Sequence, residues 1–234
     1  MNTPSKSLAA GLSDIFLSPS TLFSALPAHR AWTWAALALL IAVQIVAIYA
    51  FFGPMSPEWI VEQQLAVANL SGNDAEAARS TLMAMAPNIA HISAATTLVM
   101  GVLISALLAL VYFLGERMLV RSRQRYGAWF AIAVWAQLPM LLNALGLIAL
   151  SLMAASPDQP LAVANYASLN GLVLDLPLGH PWYSWAQAFS LFFVWSAALV
   201  AVAVRVAQPV AWGRALLLGA LPYLLVFGIW AVLV

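Results

Sequence analysis

The sequence predicts an all-α protein that crosses a membrane five times. Three observations carry that expectation. Of 234 residues, 64% are apolar and only 7% are charged, whereas a soluble domain is about 25% charged. The few charges fall between five long runs that contain none, residues 32–52, 92–115, 129–154, 186–204 and 215–234. Seven of the ten Trp (Trp32, Trp34, Trp129, Trp182, Trp185, Trp212 and Trp230) lie near the ends of those runs, where an interfacial aromatic belt places them.

Each run is close to the ~20 residues a helix needs to cross a hydrocarbon core of ~30 Å. Helices satisfy their own backbone hydrogen bonds, which lipid cannot do. The runs are continuously apolar and do not alternate, which excludes a barrel. The composition also excludes a soluble single domain, a disordered chain and a basic nucleic-acid binder. Cys is absent, so there is no disulfide framework, thiolate nucleophile or Cys metal site.

The first 31 residues are too polar to span. Leu8, Leu12 and Ile15 share one helix face, and Ser18-Pro19 reads as an N-cap followed by Pro at the first helical position. Two short amphipathic helices lying on the cytoplasmic leaflet are expected. The first run is too long and too far from the N-terminus to be a signal h-region, and it reads as a retained span.

The 53–91 connection carries helix punctuation. Ser56-Pro57-Glu58 starts one helix with Val61, Leu65 and Ala68 on a face. Gly72 suits its C-cap and Asn73-Asp74 the next N-cap, with Ala75, Ala78 and Leu82 continuing up to Pro87. The expectation is a helical hairpin on the outer surface. The 155–185 connection, richer in Pro and Gly, reads as irregular.

Cation placement sets orientation. Lys6, Arg30, Arg117, Arg121, Arg123, Arg125, Arg205 and Arg214 fall on one side, and only Arg79 falls on the other. The N-terminus is therefore expected in the cytoplasm and the C-terminus outside, with 53–91 and 155–185 as outer loops.

The stretches IFLSPSTLFSAL before the first span, YGAWFAIAVWAQLPMLLNALG opening the third, and SLFFVWSAALVAVAVRVAQPVAWGRALLLGALPYLL through the fourth and fifth together resemble the Yip (Ypt/Rab-interacting-protein) family in its bacterial branch. The resemblance covers nearly the whole chain. It implies a five-span bundle with a cytoplasmic N-terminus, in the bacterial inner membrane. Eukaryotic members act in vesicle trafficking and bind prenylated Rab-type GTPases. This chain lacks their acidic-Leu-Tyr-Gly-Pro motif and has a much shorter N-terminal region, so Rab binding does not carry over.

Candidate site residues are polar or basic groups in unusual places. Gln44, Ser105, Asn143 and Ser196 lie near mid-span. They are expected to face inward, as interhelical adhesive of roughly 0.6 kcal/mol per bond or as a polar slot, with Gln44 and Asn143 pairing. Pro139 and Pro222 should kink their helices. Arg117, Arg121 and Arg125, spaced i, i+4, i+8, would form a basic stripe if the second span extends into the cytoplasm, and such a stripe contacts anionic lipid at ~1 kcal/mol per Arg.

His91, His180 and Asp175 match no metal-ligand spacing, and no metal or cofactor is expected. Gly101, Ser105 and Ala109, like Ala215 and Gly219, form small-residue stripes that permit close helix packing and leave homo-oligomerisation open. No nucleophile elbow or phosphate-binding loop is present. The expected function is a non-enzymatic membrane organiser or adaptor whose partners are lipids and other membrane proteins. The alternative is a passive lipid or small-solute translocator using the mid-span polar residues.

Overall fold

The fold is all-helical, as the apolar runs predict. A computed structural model describes residues 5–120 and 124–234. In chain order the α-helices among them are α1 (Leu8–Leu17), α2 (Pro19–Ala25), α3 (Ala31–Phe52), α4 (Pro57–Val67), α5 (Gly72–Met85), α6 (Ile89–Leu119), α7 (Tyr126–Ala136), α8 (Pro139–Met153), α9 (Tyr183–Ala188), α10 (Leu191–Ala207) and α11 (Trp212–Leu233). Four helical stretches, Ala31–Phe52, Gly72–Leu119, Tyr126–Met153 and Trp212–Leu233, are long and apolar enough to cross a membrane.

The fourth predicted span is shorter than its apolar run. It was expected from residue 186, but α10 begins at Leu191 and has 17 residues, about 26 Å at 1.5 Å per residue. The backbone before it is committed elsewhere. Leu169 N–H bonds Phe189 O at 2.7 Å, Leu191 N–H bonds Ala167 O at 3.0 Å, and Ser168 and Ser190 form an isolated antiparallel bridge. Those bonds end α9 at Ala188 and let α10 start afresh.

The chain divides into two compact units. The first comprises Met1–Ile41, Val99–Met140 and Phe192–Ile229. Its interior holds Ile15, Leu22, Tyr112, Trp129, Trp135, Leu138 and Leu218, each under 2% exposed. The N-terminal segment packs into this core. Leu8 and Leu12 are half-buried and Ile15 is fully buried. A Cβ on Gly11 would meet Leu22, Trp135 and Trp32 side chains at 3.1–3.5 Å. The predicted amphipathic face thus lies against protein. The Ser7 side chain caps α1 by accepting from Ala10 N–H at 3.1 Å, and Ser18 precedes Pro19 at the start of α2 as expected.

Small residues set helix approach in this unit. A Cβ on Gly219 would collide with the carbonyl oxygen of Ala197, so α11 lies directly on α10. Gly101 packs on Ile41, while Ser105, Ala109 and Ala215 are fully buried. Both small-residue stripes are therefore used inside the unit. The two prolines behave differently. Pro139 ends continuous helix, with Gln137 and Leu138 forming a turn between α7 and α8. Pro222 is buried inside α11, which continues past it.

The second unit comprises Ala42–Leu98, Leu141–Leu191 and Trp230–Val234. Its core gathers Ala47, Phe51 and Met55 with Ile60, Val61 and Leu65 of α4 and Ala144 and Leu147 of α8. The predicted hairpin is present as α4 and α5, joined on its exposed side by Arg79 Nη1–Glu62 Oε1 at 2.6 Å. Its turn differs from expectation. Asn69 (φ 52°) takes the left-handed position after α4, where Leu70 N–H reaches back to Leu65 O at 3.1 Å, a Schellman-type closure. Gly72 (φ 58°) instead opens α5 behind Ser71.

Asp158 ties the loop after α8 to the start of α4. Its carboxylate accepts from Ser56 N–H at 2.7 Å and from Ser56 Oγ at 2.9 and 3.0 Å.

Candidate functional site

The polar chemistry of the first unit concentrates at one end, where α3 and α7 begin and α6 and α10 finish. Two arrangements occupy it: a caged carboxylate and an amphipathic cavity.

Glu116 is only 1% exposed. Its Oε2 accepts from Trp129 Nε1–H at 2.9 Å and from Gln124 N–H at 3.1 Å, and its Oε1 accepts from Gln208 Nε2–H at 3.3 Å. Three neutral donors from two chain segments, the start of α7 and the residue after α10, surround it, and among the described residues it makes no ion pair. Burying a carboxylate costs several kcal/mol unless such bonds compensate. Glu116 is not among the candidate residues that the sequence singles out. The clue in the sequence is an acid at the edge of an apolar run, followed by an indole and a carboxamide that can donate to it.

The cavity has a volume of about 800 Å³. Its wall is largely apolar, with Phe23, Leu26, Ile132 and Val206 joined by Trp34 and Phe130, whose rings lie 5.4 Å apart. Arg30 and Arg125 line it, and neither forms an ion pair among the described residues. Thr33 also lines it. That residue is 4% exposed and its Oγ1 has no hydrogen-bond partner. Arg125 is the N-cap of α7, with extended backbone (φ −73°, ψ 148°) and no side-chain cap, so the first N–H groups of that helix are left without side-chain partners. Among the described residues nothing acidic lines the cavity.

The predicted site residues are distributed as follows. Arg117 lies in the last turn of α6 and over the Phe113 ring, 4.1 Å from its centroid. Helix α6 stops at Leu119 and Arg125 belongs to the next helix, so the two do not share a stripe; Arg121 lies outside the described residues. Ser105 is fully buried, donates to Gly101 O at 2.8 Å and accepts from Gln137 Nε2–H at 3.0 Å. Ser196, 2% exposed, joins Tyr223 and Tyr112 in a hydroxyl cluster.

Gln44 and Asn143 belong to the second unit and make no hydrogen bond with each other. Gln44 is half-buried, and Asn143 is 7% exposed with Oδ1 unpartnered. His91 Nδ1 is 2.6 Å from the Tyr49 hydroxyl, and His180 Nδ1 accepts from Trp182 N–H at 3.2 Å. Among the described residues, no group of three His, Asp or Glu is arranged to hold a metal.

The comparisons with known proteins agree with the resemblance carried by the spans. A family model described as the Yip1 domain matches residues 13–233. No curated protein and no solved structure matches the chain.

Proposed function

The chain belongs to the Yip1 domain family, a match extending over residues 13–233, and from that premise we propose that this multi-pass membrane protein is a non-enzymatic organiser or adaptor acting through helix and lipid contacts. We place it in a bacterial inner membrane with the cation-rich end in the cytoplasm. One observation carries the adaptor reading. In the first unit the mid-span polar side chains are taken up by neighbours in the same unit, Ser105 by Gln137 and Ser196 by Tyr223, while Thr33 Oγ1 and Trp135 Nε1 stay unpartnered. The outward positions of α6, including Leu98, Leu103, Leu107, Leu110 and Leu114, stay apolar and exposed. Mid-span polar groups paired inside the unit, with apolar outer faces, suit a body that holds partners in the bilayer, because interhelical hydrogen bonds stabilise packing without opening a polar route.

A second reading, passive translocation of lipid or a small solute, is favoured by the unpartnered Asn143 Oδ1 and the half-buried Gln44 in the other unit. Reconstitution into liposomes with a lipid-flip assay separates the two. The adaptor reading expects no acceleration over protein-free vesicles. Acceleration that disappears in Gln44→Leu or Asn143→Leu would replace it with translocation.

A further inference from the structure

The cation-rich end of the first unit holds a cavity that neither membership in the family nor an adaptor role explains. We propose that it binds a single anionic phospholipid, with the phosphate between Arg30 and Arg125 and the glycerol and first acyl carbons against Trp34, Phe130 and Ile132.

Four observations converge on this ligand class. The two guanidinium groups lining the cavity are without ion-pair partners among the described residues, and nothing acidic lines it. The hydroxyl of Thr33 is buried and unpartnered, and a buried donor left unmade is expensive, which a phosphate oxygen corrects. Helix α7 starts at the cavity without a side-chain cap; Ala128 and Trp129 N–H bond Arg125 O, and the positive end of the helix dipole favours negative charge there. These three point to an anion.

The fourth selects an amphiphile. Most of the wall is apolar or aromatic, which a free phosphate would leave unused. At about 800 Å³ the cavity falls within the ~300–1,000 Å³ of ordinary ligand sites. That accommodates a headgroup with the top of its chains, the remainder continuing into the bilayer. Trp34 lies in the opening turn of α3, at the depth where lipid changes from headgroup to hydrocarbon.

The site differs from the basic stripe expected from sequence. It uses Arg125 but replaces Arg117, which is stacked on Phe113, with Arg30 from the other end of the first unit's sequence.

The test uses the full chain reconstituted in vesicles of phosphatidylcholine and phosphatidylglycerol, extracted in mild detergent and titrated with each lipid by native mass spectrometry. One phosphatidylglycerol per chain should be retained in preference to phosphatidylcholine. Arg30→Gln and Arg125→Gln should each weaken it about fivefold and the pair about thirtyfold, the change expected from ~1 kcal/mol per cation. Arg117→Gln should leave retention unchanged. Ala128→Trp keeps both cations and fills the cavity, so it should abolish the preference. Circular dichroism and elution volume confirm that each variant is folded. Equal retention of both lipids, weakening by Arg117→Gln as large as by Arg125→Gln, or displacement by millimolar inorganic phosphate would overturn the proposal. The last would show a site for the free anion.

Discussion

Replacing Glu116 tests whether the carboxylate cage holds the end of the first unit together. In Glu116→Ala the three donors now aimed at the carboxylate lose their acceptor. Trp129 is fully buried, so its indole N–H has no water to turn to, at a cost of about 1–3 kcal/mol. Gln124 and Gln208 are half-buried and recover part of their bonding from solvent, so they add about 1 kcal/mol together. The expected total is about 2–4 kcal/mol. Glu116→Gln is the informative contrast. Its carbonyl oxygen can still accept from Trp129 and Gln124, which share Oε2, and the Gln208 amide can turn its own oxygen toward the new NH₂. That variant should cost less than about 1 kcal/mol. Equilibrium unfolding by SDS titration in mixed micelles, followed by tryptophan fluorescence, measures both. A double-mutant cycle with Trp129→Phe should show a coupling of about 1–3 kcal/mol. Equal losses for Ala and Gln, or no coupling to Trp129, would refute the reasoning, since the carboxylate would then be merely tolerated.

Two further outcomes follow from close packing and from charge placement. Gly219→Leu should destabilise the protein by more than about 3 kcal/mol, because any Cβ there strikes the Ala197 carbonyl, whereas Gly213→Ala, with open space around it, should be neutral or up to about 1 kcal/mol stabilising; thermal unfolding in detergent compares them. The chain has no Cys, so single cysteines report orientation cleanly: with the cation-rich end in the cytoplasm, Ser80→Cys in exposed α5 should react with an impermeant maleimide on intact cells and Ser13→Cys in α1 only after permeabilisation, and the reverse pattern would invert the assignment.

The apolar helices were legible because hydropathy over ~20 residues is a local property. What escaped reading depends on contacts far along the chain. The start of α10 was placed five residues early, since nothing near Ser190 reveals that Ser168 pairs with it. Pro139 was read as a kink. The structure has a two-residue turn at Gln137 and Leu138 within the Tyr126–Met153 stretch, where the Gln137 side chain donates to Ala133 O at 3.0 Å and also to Ser105. Gly72 was assigned the left-handed cap because glycine does so most often, but Asn69 occupies it first and closes α4 earlier. The Arg stripe assumed that α6 continues beyond Leu119. Spacing on a helix means nothing once the helix has ended.

Charge segregation at the end of the first unit explains why the cavity escaped sequence analysis and why it matters. Each cation there already had a sufficient reason to exist, because Lys and Arg on one side set topology. Topology demands only a side, however, and places no cation beside an orphan hydroxyl in an aromatic-walled cavity. Glu116 sharpens the point. An acid at the same end would ordinarily neutralise a neighbouring guanidinium, and attraction between opposite charges grows as the local dielectric falls. Instead the carboxylate is buried and satisfied by an indole, a backbone amide and a carboxamide. Its three bonds remove it as an ion-pair partner, leaving Arg30 and Arg125 unpaired among the described residues. If Glu116 instead paired with Arg30 or Arg125, the cavity's positive potential would fall and an anionic lipid would gain less by entering. The cage and the cavity are then two halves of one arrangement, so Glu116→Gln, which removes a buried negative charge bonded to cavity-lining Gln124, should keep or strengthen phosphatidylglycerol retention, whereas Gln124→Glu, which brings an acid to the cavity wall, should weaken it about as much as loss of one arginine.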